Sequence, residues 1–277
     1  MLMKELDHYY FALFESAEKY EKWRRIVLLV VLILLSVSLY VTGKLLYALA
    51  ACAVIIQTCS LFLDLESKKC RGLANDFHKY SMLVQVFNGV VDTHELARLK
   101  VKAGNRINRL FRNKVDDFVA VDSGSYTTNE KDPAKRLIAM IQENSYWNNN
   151  LYKFSYKSYM TKIAFVTGLV AIAALTLIPS LALDQDFTVL RLLFTVMSFS
   201  VIYEFIETTL RYKSSSEEMG VIDHKISRLD SFDSQELLDI FSKYHLIKSN
   251  TPPISKAIYE KNKEMLNHSW NTRASQS

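Results

Sequence analysis

The side chains best suited to chemistry in this sequence are one set of basic residues and one pair of acids, each at helical spacing. The acids, Glu204 and Glu207, are three residues apart and follow an apolar run, so a helix places them on one face. The basic residues recur every three or four positions: Arg98, Lys102, Arg106 and Arg109. Basic side chains bind anionic groups such as phosphate, whereas acids in an apolar helix pair with cations or line an ion path.

The basic set lies in a segment with seven Lys and Arg between residues 98 and 114 and no acid between Glu95 and Asp116. The other face of the same helix is apolar: Leu96, Leu99, Ala103, Ile107 and Leu110. This pattern predicts a basic amphipathic helix with three alternative roles. Its basic face is solvated while the apolar face packs on other helices, or it lies on anionic lipid headgroups, or it binds a phosphorylated ligand.

The two acids also leave three interpretations open. A carboxylate in hydrocarbon costs at least a few kcal/mol at a central position unless it is paired or hydrated. Glu204 and Glu207 therefore form ion pairs near the membrane boundary with Lys162, Arg24 or Arg25, or line a pore formed on assembly, or relay protons. Gln57, in an earlier apolar run, contributes to the same polar interior or serves simple helix packing.

Motifs of the common enzyme classes are absent from the sequence. There is no glycine-rich phosphate loop, zincin motif, nucleophile elbow or paired-cysteine zinc motif. The 7 Gly and 4 Pro favour helices over turn-rich β folds, and the 3 Cys are expected to be free thiols. We therefore expect a protein that is not an enzyme, with no cofactor and no metal site.

Four nearly uncharged runs dominate the sequence and predict membrane spans. They cover residues 26–43, 45–63, 163–183 and 192–203, and a helix of about 20 residues crosses the hydrocarbon of a bilayer. The fourth run is shorter, and we expect its span to extend over 187–210 with Arg191, Glu204 and Glu207 near the boundaries. The first two runs are separated by a single charge, Lys44, and the last two by a short polar turn. The predicted fold is all-α, with four transmembrane helices arranged as two hairpins and no strand-rich segment.

The hairpins divide the chain into five segments, and their charges predict the orientation. The segments are an N-terminal helix at 1–25, hairpins at 26–64 and 161–210, a helical insert at 65–160 and a helical C-terminal region at 211–277. Lys and Arg number 5, 16 and 10 in the three polar segments, against one at each hairpin tip. By the positive-inside rule, the polar segments, including both termini, are cytoplasmic.

Further helices are predicted within these segments. The second span is expected to continue as a helix through residues 66–87, and another helix is expected to run from Pro133 into the third span. The stretch before that span, residues 145–159, mixes aromatic and basic residues and is typical of an interfacial aromatic belt. This location favours membrane over nucleic acid, so neither DNA nor RNA is expected as a partner. After the fourth span, helices are expected near 234 and at 254–267.

The chain resembles the SMODS-associated four-transmembrane effector family of bacterial anti-phage systems. The resemblance rests on the two hairpins flanking a basic helical insert and on three stretches before and into the third span: Ile141–Trp147, Asn150–Leu151 and Met160–Ala164. It implies an inner-membrane effector that oligomerises when a partner nucleotidyltransferase makes a cyclic oligonucleotide, and that then permeabilises the membrane. The lipid bilayer, a second copy of the chain and the cyclic oligonucleotide are the expected partners.

Two other functions remain open on the sequence alone. A non-enzymatic membrane adaptor or regulatory scaffold would use the same cytoplasmic helices to recruit a partner. A transporter is a further alternative, although transporters have more spans and broken helices near the midplane.

Overall fold

The computed structural model describes residues 2–38, 41, 43–87, 92–114, 126–128, 130–181 and 188–275. Within these ranges the chain is all helical, as predicted, and contains no strand. The helices are α1 (Leu2–Ser38), α2 (Lys44–Val86), α3 (Thr93–Lys114), α4 (Pro133–Leu181), α5 (Thr188–Ile226), α6 (Ser234–Asn250) and α7 (Lys256–Ala274).

The helices form two compact units. One, here called the hairpin unit, comprises residues 19–67 and 156–210; the other, the basal unit, comprises residues 1–18, 68–155 and 211–277. Four helices contribute to both units, because α1, α2, α4 and α5 each cross a boundary between them.

In the hairpin unit, α2 begins directly after a turn residue, Gly43. Gly43 has φ 70°, a left-handed conformation that glycine adopts without the steric cost of a Cβ atom. The amide of Leu46 then donates to the Gly43 carbonyl at 3.1 Å, which begins α2. The start of α2 at Lys44 thus agrees with the predicted boundary between the first two apolar runs, and the hairpin itself stays a prediction.

In the described residues, one helix is long and apolar enough to cross a membrane. It is α2, and 22% of its most apolar window is buried. The structure thus supports one candidate span rather than the four predicted. The other three predicted spans, 26–43, 163–183 and 187–210, include residues that lie outside the described part of the chain.

The basal unit is held together by contacts between segments that are distant in sequence. The backbone amide of Lys256 donates to Glu18 at 2.8 Å, and the Arg71 guanidinium donates to the Ser249 carbonyl at 3.1 Å. The buried Tyr212 hydroxyl donates to the Pro253 carbonyl at 2.8 Å. These bonds join α1, α2 and α5 to the C-terminal helices, so one core contains all three segments of the unit.

Capping side chains set where the C-terminal helices begin. Asp233 caps α6 by accepting a hydrogen bond from the Glu236 amide at 2.7 Å, and Ser255 accepts one from the Ile258 amide at the start of α7. These caps satisfy amides that have no partner within their own helix. Helix α7 extends to Ala274, so the predicted end at residue 267 was wrong.

The aromatic run before the third span packs partly inside the basal unit. Tyr152 is 3% exposed and lies against Tyr212, with ring centroids 6.2 Å apart. Tyr146 lies against Trp270 at 5.3 Å, and Trp147 against Tyr259 at 6.1 Å. Helices α5 and α7 therefore pack against these three aromatic residues and bury Tyr152, whereas an interfacial role for the run stays a prediction.

Candidate functional site

A buried cluster of charges in the hairpin unit is the candidate site. Arg24 of α1 donates to three carboxylates: Glu21 of its own helix at 3.2 Å, Asp64 of α2 at 2.9 Å and Glu204 of α5 at 2.7 Å. One guanidinium therefore links three helices. We call these four residues the Arg24 cluster.

The cluster is largely shielded from solvent. The side chains of Arg24, Glu21, Asp64 and Glu204 are 12%, 6%, 19% and 14% exposed. Burial alone would lower the pKa of Arg24, but the carboxylates of Glu21, Glu204 and Asp64 outweigh burial and raise this pKa above its ordinary value. Arg24 therefore stays charged and neutralises part of an acidic cluster.

Two more cations, Arg25 and Lys162, lie over the aromatic ring of Tyr159 beside the Arg24 cluster. The Arg25 guanidinium is 5.0 Å from the Tyr159 ring centroid, and the Lys162 ammonium is 4.6 Å from it. Burial, followed by repulsion from Arg25, lowers the pKa of Lys162. A narrow cleft lies here. Its lining consists of Glu21, Arg24, Arg25, Leu28, Tyr159, Glu204, Phe205 and Thr208.

The hairpin unit contains the two predicted acids and Gln57, and of these only Glu204 is one of the four residues of the Arg24 cluster. Glu204 binds Arg24, which is one of the ion pairs considered from the sequence. Glu207 is partly buried one turn further along α5. The Gln57 side-chain oxygen is buried and has no hydrogen-bond partner among the described residues. The roles of these three side chains in a pore or proton path stay predictions.

The basic set does not lie on one continuous helical face. Gly104, inside α3, has φ 75° and ψ 162°, so the helix is broken between Lys102 and Arg106. Arg98 and Lys102 are exposed, and Arg98 pairs with Glu95 at 2.7 Å. The side chains of Arg106 and Arg109 lie outside the described part of the chain.

The described part of the basic helix, α3, buries its apolar side within the basal unit. Leu96, Leu99 and Ala103 are buried, as the periodicity predicted. Burial raises the pKa of Asp76 on α2, while Lys102, Lys79 and Arg98 act to lower it, so Lys102 and Arg98 are close enough to that carboxyl to influence it. Their position is typical of a solvated face on a packed helix and leaves both cations accessible to an anion.

A second polar cluster, in the basal unit, was not indicated by the sequence. It consists of Lys248, His78 and His245 with the aromatic rings of Tyr10, Phe14 and Tyr244, and we call it the Lys248 cluster. The sequence pattern does not distinguish a buried lysine or histidine from a polar residue at the exposed edge of an apolar helix face. Only the convergence of α1, α2 and α6 brings these residues together.

In the residues that the structure describes, no group of three or more His, Cys, Asp or Glu could hold a metal ion. No family model, curated protein or solved structure matches this chain. The Arg24 cluster offers paired charges, which can hold helices together or rearrange when the helices separate.

Proposed function

We propose that this protein is a non-enzymatic inner-membrane effector of anti-phage defence. A cytoplasmic trigger, a cyclic oligonucleotide, drives its oligomerisation and so permeabilises the membrane. The proposal includes four spans in two hairpins, with both termini in the bacterial cytoplasm. The observation that carries it is the apolar surface of the hairpin unit.

That surface exposes large apolar side chains that water does not favour. Ile55 and Phe62 of α2 are 63% and 64% exposed, and Phe165 and Ile172 of α4 are each 64% exposed. Ile33 of α1 is 61% exposed. Soluble proteins rarely leave large contiguous apolar patches in water, whereas lipid chains cover such side chains without cost. This supports a lipid environment for helices beyond the candidate span α2.

The composition of the basal unit supports the proposed topology. Its core is built from the beginning, the middle and the end of the chain. Parts that fold into one compact unit lie on one side of a membrane, so each intervening segment returns to the side from which it started. Two hairpins of two spans each meet this condition, and the basic residues of the unit favour the cytoplasmic side.

The Arg24 cluster gives the proposal a physical mechanism. In the single chain, Arg24 joins α1, α2 and α5 and neutralises acids that would otherwise be costly within an apolar bundle. A ligand that binds the assembled form more tightly shifts the population toward that form. Separation of the helices would then release Glu204 to line a polar path with Glu207 and Gln57.

Dye release from vesicles tests the function directly. The full chain, purified and reconstituted in vesicles of anionic and zwitterionic phospholipids, is mixed with cyclic di- and trinucleotides while release of an encapsulated fluorophore is followed. We expect release that depends on the nucleotide and on the density of protein in the membrane. A folded, membrane-inserted protein that releases no dye with any nucleotide would favour the adaptor function instead.

Charge reversal tests the proposed anion-binding role of the basic set. Replacing Arg98, Lys102, Arg106 and Arg109 together by Glu should abolish nucleotide-dependent release. A control reverses Lys213 and Lys243, two exposed lysines of the basal unit on α5 and α6. Release that survives the fourfold reversal would remove the ligand role, and omitting anionic lipid from the vesicles separates binding of headgroups from binding of nucleotide.

A further inference from the structure

Lys248 is a buried lysine whose ammonium is surrounded by aromatic rings. The residue is 8% exposed, and its Nζ atom lies 5.1 Å from the ring centroid of Tyr10, 5.6 Å from that of Phe14 and 5.9 Å from that of Tyr244. The Tyr10 hydroxyl is 3.5 Å away. Aromatic rings attract a nearby cation, but this attraction is weaker than the hydration that an ammonium group loses when it is fully buried.

The charges around Lys248 do not compensate its burial. No carboxylate pairs with Lys248 among the described residues, and its Nζ is 3.3 Å from both ring nitrogens of His78. His78 and His245 are 6% and 9% exposed, with ring centroids 5.8 Å apart. Neither ring nitrogen of His245 has a hydrogen-bond partner in the part of the chain that the structure describes. Three bases thus share one desolvated site.

The remaining titratable groups on the neighbouring elements do not reverse this imbalance. The Ser81 hydroxyl donates a hydrogen bond to the carboxylate of Asp7 on α1. On α2, Arg71 donates to the Ser249 carbonyl and Lys79 lies over the Phe241 ring, so both add positive charge. The other titratable groups nearby are tyrosines, which are uncharged at neutral pH: Tyr10, Tyr126, Tyr152 and Tyr244.

We propose that the Lys248 cluster is a proton-sensitive latch that holds α6 against α1 and α2, closed when its three bases are neutral and opened as they take up protons. The basis is geometric: Lys248 and His245 come from α6, His78 from α2 and Tyr10 from α1, and the accumulating positive charges repel one another across this interface. The inference does not depend on the proposed membrane function.

The bases act in two different pH ranges. Burial lowers the pKa of Lys248 from its ordinary value of 10.5 to about 7. Burial, followed by the charges of Lys248 and Lys79, lowers the pKa of His245 to about 3, and burial also takes the pKa of His78 well below its ordinary value. The open form therefore binds more protons than the closed form, so closure weakens as the pH falls. Lys248 dominates above neutral pH and the histidines below it.

The expected size of the effect follows from proton linkage. Between about pH 9 and about pH 7, the lysine alone should raise the open fraction about 50-fold, whereas the two histidines together should raise it only about 2-fold. The tyrosines do not interfere, because burial raises the pKa values of Tyr10, Tyr126, Tyr152 and Tyr244 above this range. The range above neutrality therefore isolates Lys248.

Amide hydrogen exchange of the full chain in lipid nanodiscs tests the latch. Exchange in residues 234–250 is compared at the two pH values after correction for the intrinsic rate. In the wild type, the protection factors of these residues should fall about 50-fold from the higher to the lower pH. In Lys248→Met they should fall only about 2-fold. Lys243→Met is the matched control, because Lys243 is exposed on the same helix and pairs with Asp239 at 2.9 Å; it should behave like the wild type.

A direct titration keeps the latch testable if Lys248→Met does not fold. In wild-type protein labelled at lysine Cε, the Lys248 resonance should titrate near neutral pH. Lys162→Met removes the other lysine among the described residues whose pKa burial lowers, and if every lysine of that variant titrates near its ordinary pKa, the proposal is overturned. An equal loss of α6 protection in the wild type and in folded Lys248→Met overturns it as well.

Discussion

Removal of the Arg24 charge should destabilise the hairpin unit far more than removal of the neighbouring charge at Arg25. Arg24→Met deletes hydrogen bonds of 2.7, 2.9 and 3.2 Å. It leaves three carboxylates without their shared cation, and the side chains that carry them are only 6–19% exposed. Breaking a buried ion pair costs about 3–5 kcal/mol, and the residual exposure here places the expected loss near the lower end, about 3 kcal/mol.

The matched control lies one residue along. Arg25→Met removes the same charge, but the Arg25 side chain is 22% exposed and meets Glu21 only at 3.4 Å. The guanidinium also lies 5.0 Å from the centroid of the Tyr159 ring. We expect a loss of about 1 kcal/mol, in the range of weak ion pairs and cation–π contacts.

A double-mutant cycle isolates the pair formed by Arg24 and Glu204. Glu204→Gln should cost about 1 kcal/mol, because Arg24 keeps Asp64 and Glu21 and the amide oxygen still accepts a hydrogen bond. The same change in the Arg24→Met background should cost nothing or stabilise, since it removes one of three repelling acids. The coupling energy should therefore be about 1–2 kcal/mol.

The assay is unfolding of the full chain in mild detergent by added sodium dodecyl sulfate, followed by helical circular dichroism. It is repeated for the wild type, both arginine variants, Glu204→Gln and the double variant. Equal losses for Arg24→Met and Arg25→Met, or a coupling energy of zero, would refute the view that Arg24 holds the three helices together.

Two further predictions concern local backbone structure. Gly104→Ala should destabilise the basal unit by about 1–2 kcal/mol in thermal unfolding, because φ 75° is costly for any residue with a Cβ while nothing within 4 Å would be displaced; an unchanged midpoint would argue against the break in α3. Asp233→Ala should cost about 1 kcal/mol through loss of the α6 cap, whereas Asp233→Asn should retain most of the stability, and equal losses for the two would contradict the capping role.

The helices were predictable because they depend on local patterns. Low glycine and proline content, apolar runs and periodic faces all indicated an all-α chain, and the continuation of the second span into a longer helix was confirmed by α2. The break at Gly104 was missed, because a single glycine within a regular pattern does not show from sequence whether its backbone leaves the helix.

The sequence alone indicated the helical class, the apolar runs and the charged residues at their ends. Which charges meet was decided by the tertiary structure: three carboxylates from three helices converge on Arg24, and Lys248 meets His78 although the two residues are 170 positions apart. The difference arises because sequence periodicity is local, whereas contacts between helices join residues that are distant in sequence. Periodicity reports the face of a helix on which a side chain lies, but the partner of a buried charge depends on which other helix that face packs against.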